Sequence, residues 1–365
     1  MSDSSSSSLA PSHREVEVSL FGPGYGECVV VHVGDNEWVI VDSCIDSGTK
    51  EPCAVSYLES IGVGLDRVKY IIATHWHDDH IRGLGEMYVK CSNASFSFSN
   101  AIKSREFGAI VAALGRKCGT QTSGVDTLFQ IFDESARRVT RGNFFHASPV
   151  MANSSITPHA SRFEIVALSP SSPMCLQAIA SLSNLMPKAG DQKRRVIAPS
   201  CNETAVVLWI QVGNRKMLLG ADLEETASSQ GEWTRLMVHA TGRSGAEVFK
   251  VPHHGSQNGD HPNIWNTLLT SNPVAVLTPY SKLTNPLPTA ADIVRLKTNT
   301  SNAAITRRPT GTPSISRTGA RNKMILQSTR KYRPVPMSTG RIRLRAPIFG
   351  NDPWQVAFFG TAGPL

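Results

Sequence analysis

The stretch that decides the fold is ATHWHDDHIRG, which runs from Ala73 to Gly83. It places three histidines and two aspartates within the six residues His75–His80, directly after the apolar run VKYIIAT. A buried strand that ends in such a loop delivers polar side chains to the carboxyl edge of a sheet, which is the usual place for a site in an α/β layer. The stretch therefore predicts a cluster of ligands at the end of a strand.

The spacing within the loop predicts how these side chains divide. His75 and His77 are two residues apart, so in an extended turn they point the same way, while Asp79 and His80 follow as the chain curls. Four ligands from one loop can then serve two adjacent ions. Imidazole and carboxylate together suit zinc, manganese or iron, and no thiolate is required.

The surrounding pattern predicts a strand-rich layer with interspersed helices. The runs EVEVSLF, ECVVVHV and EWVIVDS precede the loop and are separated by the turn signals GPGYG and GDN. Helical spacing follows Pro52 in PCAVSYLESIGV and recurs in PMCLQAIASLSNLM and TAADIVRLKTN. Further strands are predicted in RFEIVALSPSS, ETAVVLWIQVG, NRKMLLGADLEE, AEVFKVPHHGS and PVAVLTPYS. The closing RIRLRAP alternates Arg with Ile and Leu, which predicts an edge or surface strand.

At these residues the sequence resembles a known family. HWHDDH matches the HxHxDH motif of the metallo-β-lactamase-fold hydrolases, and Asp42, at the end of a strand, matches their first motif. The resemblance implies an α/β fold, an αββα sandwich with a one- or two-metal site at one sheet edge. The order from Asn202 through LLGAD to HHGS is most similar to the hydrolase domain of bacterial competence DNA-uptake channel proteins. This similarity covers residues 15–296 in four ordered motifs.

The resemblance assigns roles to residues far along the chain. Asp222 in LLGADLEE is expected to bridge two metals, and one of His253 and His254 in VPHHGS is expected to bind the second metal. We favour His254 as the ligand and His253 as an acid or phosphate contact, although the sequence leaves their order open. Asp79 is expected to bind the second ion and to orient the nucleophile. Asp42 is expected to orient a ligand histidine from behind.

The chain departs from the family pattern at three places. Asn202 stands where many members have a third histidine on the first metal, and an amide oxygen is a weak ligand. The alternatives are Cys201, His146 and His159. Leu287 precedes Pro288 where the subgroup often has a late histidine. Arg82 stands where a small residue is common and predicts either a phosphate contact or a surface charge.

The net charge of +8 is unevenly placed. Residues 301–347 contain no acidic residue but eleven basic ones, which leaves the rest of the chain slightly acidic, with 26 basic against 29 acidic residues. Such a segment attracts a polyanion such as nucleic acid, or is simply a solvated basic face. Arg341, Arg343 and Arg345 are the candidate contacts there, together with Arg82.

We expect residues 1–13 to form a disordered leader and residues 14–300 a hydrolase domain. Within that domain the range 88–195 is expected to be an insertion between the HxHxDH motif and the strand of the bridging aspartate. Residues 301–365 are expected to form a basic segment packed on the same domain. Seven cysteines without a CxxC pair, no export signal and no apolar run long enough for a membrane span predict reduced thiols and a cytoplasmic protein without membrane contact.

The sequence thus predicts a metal-dependent hydrolase, most simply a phosphodiesterase or nuclease. Two divalent ions, zinc first and manganese or iron as alternatives, would lower the pKa of a bridging water so that hydroxide attacks phosphorus. The predicted partner is a phosphodiester substrate such as nucleic acid, with room for a protein partner. Two alternatives stay open: hydrolysis of a small ester, lactone or thioester, and a metal-stabilised partner subunit without catalysis.

Overall fold

The computed structural model describes residues 9–22, 25–102, 124–142, 147–159, 161–185, 202–225, 231–281, 286–308 and 339–365. Within these ranges the strands form two mixed sheets. The strands are β1 (Glu15–Gly22), β2 (Cys28–His32), β3 (Trp38–Val41), β4 (Val68–Ala73), β5 (Ser95–Ser99), β6 (Ala147–Val150), β7 (Phe163–Ala167), β8 (Leu208–Val212), β9 (Arg215–Leu219), β10 (Ala246–Lys250), β11 (Leu269–Leu277), β12 (Ala303–Ile305), β13 (Gly340–Pro347), β14 (Gln355–Phe359) and β15 (Gly363–Pro364). The first sheet has the order β14-β13-β1-β2-β3-β4-β5-β6, and the second has the order β15-β12-β11-β10-β9-β8-β7.

Helices cover the outer face of each sheet. The α-helices of the described chain are α1 (Cys53–Ser60), α2 (Asp78–Ile81), α3 (Leu84–Lys90), α4 (Gly124–Thr140), α5 (Ser172–Leu185), α6 (Glu232–His239) and α7 (Ala290–Asn299). Short 3₁₀ turns include Asn202–Thr204 and His253–Gly255, and a π-helical turn covers Ile264–Leu268. The predicted helices after Pro52, near Pro173 and in TAADIVRLKTN are confirmed.

Three buried clusters define four layers. One cluster lies between the first sheet and α1, α3 and α4, a second lies between the two sheets, and a third lies between the second sheet and α6 and α7. The molecule is therefore the αββα sandwich that the resemblance implies.

Strand β2 illustrates why the sheets form. Val29 and Val31 face the cluster between the sheets, while Cys28 and Val30 face the helices. Because successive side chains of a strand point to opposite faces, a run of β-branched residues fits a strand that is covered on both sides. Full burial of each valine contributes roughly 1.5–3 kcal/mol.

The described part of the range 88–195, which the sequence predicts to be an insertion, contributes strands to both sheets. In the part that the structure describes, it supplies β5 and β6 to one edge of the first sheet and β7 to the edge of the second. In the run SFSFS, Ser97 and Ser99 are buried, and the Ser99 hydroxyl donates to the Thr204 carbonyl at 2.8 Å. A buried hydroxyl with a partner costs little, so the strand tolerates it.

The expectation that RIRLRAP is an edge or surface strand is wrong. It forms β13, which lies between β1 and β14 and pairs antiparallel with both. Its arginines face a covered side: Arg345 Nε lies 2.7 Å from buried Glu17, and the Arg341 guanidinium lies 3.9 Å from the centre of the Phe359 ring. Described parts of residues 301–365 thus complete both sheets, and six of the eleven basic residues lie outside the described ranges.

Residues 1–8 of the expected leader lie outside the described chain, whereas the carbonyl of Leu9 accepts a hydrogen bond from Arg345 at 2.7 Å. Among the described residues, no helix combines the length and apolar character that a membrane span requires.

The buried imidazole of His32 has one hydrogen-bond partner for each of its two ring nitrogens. Its Nδ1 lies 2.8 Å from the Glu15 carbonyl, which only accepts, and its Nε2 accepts the Asn36 backbone N–H at 3.1 Å. This pairing requires the neutral ring, and burial lowers the pKa of His32 to about 4.

We predict that this histidine makes the metal-free protein sensitive to acid. Because the pKa in the folded state lies below that of the unfolded chain, the unfolded state binds more protons between pH 6.5 and 4, and stability falls as the pH falls through this window by roughly 3 kcal/mol. Urea unfolding of His32→Gln at pH 7, 5.5 and 4.5 should show a shallower decline than wild type. The exposed His13→Gln control should keep the wild-type slope, and equal slopes for His32→Gln and wild type would contradict the assignment.

Candidate metal centre

The candidate ligands lie where parallel strands of the two sheets end. Strands β3 and β4 are parallel, as are β9, β10 and β11. Asp42 follows β3 and the HWHDDH loop follows β4, while Asp222 follows β9 and the histidine pair follows β10. Carboxyl ends of parallel strands share an edge, so the topology brings both halves of the centre together.

Asp42 is the hydrogen-bond hub of the first half. Its carboxylate is buried and accepts the Thr74 backbone N–H and the Thr74 hydroxyl, each at 2.7 Å, and it lies 2.7 Å from His80 Nδ1. Since the Thr74 hydroxyl donates to Asp42, it accepts from His75 Nδ1 at 2.9 Å. Both rings therefore donate a proton from Nδ1 and turn Nε2 away from the Asp42–Thr74 unit.

His254 is oriented through its Nδ1 in the same way, by a residue of the second sheet. Its Nδ1 lies 3.2 Å from the Thr278 carbonyl, which can only accept, so Nδ1 carries a proton and Nε2 is turned towards Asp79 and Asp222. The loop that presents it is held from α7, because Arg295 donates to the Gly255 carbonyl at 2.6 Å and pairs with Asp260 at 2.8 Å.

The backbone of the centre is held in an uncommon conformation. Of the eight described residues other than glycine with positive φ, four lie at this edge: Asp42, Ala221, His253 and His254. Left-handed backbone is sparsely populated for these residue types and persists where the surrounding structure enforces it, typically at functional sites.

Asp79, His80, Asp222 and His254 form a compact buried group. Asp222 Oδ2 lies 3.2 Å from His80 Nε2 and 3.3 Å from His254 Nε2, and Asp79 Oδ2 lies 3.3 Å from His254 Nε2. One ligand atom from each of the four residues lies within 4.8 Å of the others. Carboxylate oxygens and free imidazole nitrogens at this spacing are the donor set of a divalent metal site.

The four side chains of this group are buried together, so each one shifts the pKa of the others. Burial lowers the pKa of His254, but the carboxylates of Asp222 and Asp79 outweigh it and raise the pKa to about 9. Burial likewise works against the charge on Asp222, yet His80 and His254 hold its pKa well below the usual range. The carboxylates are thus ionised, as metal ligands need to be.

Unsatisfied buried atoms indicate that the donor set fits a metal. His75 Nε2, His80 Nε2 and Asn202 Oδ1 are buried in the described structure without a hydrogen-bond partner, and Asp222 Oδ1 makes no hydrogen bond either, with the Lys250 ammonium 3.6 Å away. An orphaned buried acceptor is costly, and several converging at one edge are explained by an ion that they would bind.

A second group of three possible ligands, Asp42, His75 and His80, has a different character. The oxygens of Asp42 are already engaged by Thr74 and His80, and both imidazoles are oriented by the Asp42–Thr74 unit through Nδ1. We therefore interpret this group as the support that orients the histidines rather than as a further site.

His77, His253 and Asn202 lie at the rim. The half-buried His77 ring packs edge-on against His75 with 4.9 Å between centroids, and burial lowers its pKa. Asn202 is buried and donates its amide N–H to Glu224 at 2.6 Å, while His253 Nδ1 lies 2.9 Å from Asn258 Oδ1 and 3.2 Å from Glu224. The geometry places His254 inside the group and His253 outside it.

The remaining candidates that the structure describes are not members of this group. His159 is exposed, and Cys201 and His146 lie outside the described residues. Leu287, at the place of the expected late histidine, pairs by backbone hydrogen bonds with Tyr280. Arg82 is exposed directly after the loop, whereas Arg341, Arg343 and Arg345 lie half-buried to buried on β13.

Sequence reasoning missed several residues that complete the centre. The Tyr280 ring lies 5.2 Å from the His254 ring and 5.6 Å from the Tyr25 ring. Burial and then Asp79 raise the pKa of Tyr25. Lys250 Nζ lies 2.5 Å from Glu27 and 3.6 Å from Asp222, with all three side chains buried. The available signal was positional, because Tyr25 and Glu27 stand in the turn before β2 and Lys250 ends β10.

Comparison with known proteins agrees with this architecture. Residues 21–103 match the family model of the metallo-beta-lactamase superfamily, a range that contains Asp42 and the HWHDDH loop. The fold is the metallo-β-lactamase fold, with two packed mixed sheets. No curated protein matches the chain.

Among solved structures, the chain is similar to a metallo-beta-lactamase from Cronobacter sakazakii altered in its HARLDQ motif, with 10% identity over 64% of this chain and 75% of that one and a TM-score of 0.35. It is also similar to the metallo-beta-lactamase fold protein YhfI from Bacillus subtilis, with 12% identity over 64% of this chain and 70% of that one and a TM-score of 0.32.

We predict that the two adjacent histidines differ in metal binding. His254→Ala removes a nitrogen within 3.3 Å of two carboxylates and should lose at least one equivalent of bound zinc, measured by elemental analysis after dialysis. His253→Ala should keep the wild-type stoichiometry. Zinc should stabilise wild type against unfolding by about 2.7 kcal/mol at a hundredfold excess over its dissociation constant, and this gain should shrink in His254→Ala. Loss of zinc from His253→Ala alone would reverse the assignment.

Proposed function

We propose that this protein is a metal-dependent hydrolase that cleaves phosphodiesters, with nucleic acid as the substrate class. The observation that carries the proposal is the buried group of Asp79, His80, Asp222 and His254, whose ring Nε2 atoms and ionised carboxylates face one another. These residues would hold one divalent ion, and His75, His77 and the Asn202 amide oxygen would hold a second one beside Asp222. Bound divalent ions supply a water of lowered pKa and polarise a phosphoryl oxygen.

The residues of the chain would do the remaining work. Asp79 is buried next to His254 and would fix the direction of the attacking water. His253 stands at the rim with Glu224 3.2 Å from its Nδ1, and from there its ring would give a proton to the leaving oxygen. Tyr25 keeps its proton because its pKa is raised, so its hydroxyl could donate to a charged phosphate oxygen.

Charge supports an anionic substrate over a neutral one. The chain carries a net charge of +8, and exposed Arg82 follows the ligand loop directly. Such a field attracts polyanions and makes their binding depend on salt. A small ester, lactone or thioester remains the alternative substrate class for the same centre.

We predict that the zinc- or manganese-loaded protein hydrolyses bis-p-nitrophenyl phosphate and single-stranded DNA or RNA. Asp79→Ala should lower kcat/KM by more than about 100-fold, because it removes a carboxylate from the centre. Asp78→Ala, an exposed neighbour on the same turn, is the matched control and should stay within about threefold of wild type.

The outcomes separate the alternatives. Turnover of nucleic acid that falls steeply with salt supports the proposal, whereas salt-independent turnover of p-nitrophenyl acetate alone supports the ester alternative. Metal binding without turnover of any of these substrates would indicate a non-catalytic partner subunit. Turnover that survives Asp79→Ala would refute the site itself.

A further inference from the structure

A buried ammonium lies behind the candidate metal centre and belongs to none of the ligand motifs. Lys250, the last residue of β10, is 1% exposed. Its Nζ lies 2.5 Å from Glu27 Oε1 and 2.7 Å from the Ala221 carbonyl, and it faces Asp222 Oδ1 at 3.6 Å. A fully buried lysine needs such partners, because an unpaired charge in the interior is strongly unfavourable.

The contact orders the two oxygens of Asp222. Oδ2 lies between His80 Nε2 and His254 Nε2, at 3.2 and 3.3 Å, whereas Oδ1 faces the ammonium. Lys250 also anchors the backbone at Ala221, which has a positive φ and directly precedes Asp222. The carboxylate is therefore held at both its charged end and its root.

Glu27 also contacts Thr278, which follows β11, and Asp79 in the HWHDDH loop. Its Oε2 accepts the Thr278 hydroxyl at 2.6 Å, and both the hydroxyl and the carbonyl of Thr278 lie 3.2 Å from His254 Nδ1. Its backbone N–H donates to the Asp79 carbonyl at 2.8 Å. One glutamate thus touches the supports of three candidate ligands.

Stability alone does not account for this pair. Desolvation of two charges offsets much of their attraction, and apolar replacements of buried ion pairs are often neutral or stabilising. The Lys250–Glu27 pair is better explained by the orientation that it imposes on Asp222 and Thr278.

We propose that Lys250 and Glu27 are positioning residues of the metal centre, which fix the Asp222 carboxylate directly and the His254 ring through Thr278. The proposal rests on the proposed function in one respect, since the group around Asp222 has to bind a metal for its orientation to matter. It assigns a role to residues that would never touch the substrate.

The test compares metal affinity with stability in the full chain. Zinc binding to the metal-free protein is measured by competition with a colour-forming chelator, and cobalt(II) binding by its visible absorption spectrum. Lys250→Met and Glu27→Gln should each raise the zinc dissociation constant about 10- to 100-fold and change the cobalt spectrum. Thr278→Val, which keeps the volume and the carbonyl, should raise it by up to about tenfold.

Arg215→Met is the matched control, because it removes another buried cation from the opposite end of strand β9. Arg215 is 2% exposed and pairs with Glu247 at 3.0 Å. The Arg215→Met variant should lower Tm as Lys250→Met does, but it should leave the zinc affinity and the cobalt spectrum unchanged. If Lys250→Met does not fold, the double variant Lys250→Met with Glu27→Gln leaves no unpaired buried charge, and together with Thr278→Val it decides the question.

Wild-type zinc affinity and cobalt spectrum in the Lys250, Glu27 and Thr278 variants would overturn the positioning role while leaving the proposed function intact. Wild-type protein that binds no zinc, manganese or cobalt would overturn the proposed function and this role with it. Weakened zinc affinity with an altered cobalt spectrum, together with an unaffected Arg215→Met, is the result that we expect.

Discussion

The centre depends on one constraint: each buried imidazole uses its Nδ1 proton inside the protein and keeps Nε2 for the cavity. His80 is fixed by Asp42, His75 by the Thr74 hydroxyl and His254 by the Thr278 carbonyl. Because these acceptors belong to the ends of strands in both sheets, the tautomers are set by the fold itself. A change that turned one ring would take its Nε2 away from the position in which it could bind a metal.

The charges of the centre follow from the same enclosure. Opposed groups are buried together, and the Asp222 carboxylate stays ionised because the His80 and His254 rings face it. The arrangement costs folding energy without an ion, as the orphaned atoms of His75 and His80 indicate. The same buried atoms thus lower the free energy of unfolding when no ion is bound and would provide the affinity for the ion.

Much of the fold and of the candidate site could be predicted from the sequence, because the ligand loop, Asp42, Asp222 and the histidine pair each follow an apolar run. The support could not be predicted in the same way. Lys250 looks like the solvent-facing charge of an alternating strand, and its burial depends on Glu27, a residue that also reaches Thr278 across 251 positions of sequence. The local pattern also misplaced β13, because Arg345 finds its partner only in the folded chain.

The pairing of β1 with β13 has a consequence for how the chain reaches its native state. Glu17 and Arg345 are 328 positions apart in the sequence. During synthesis β1 therefore has no β13 to pair with until residues 340–347 have emerged from the ribosome. Until then β1 presents one open row of backbone N–H and C=O groups to its surroundings. Nascent or truncated chains should therefore be prone to pair this strand with a neighbouring chain, and assistance from a chaperone would matter most in that interval.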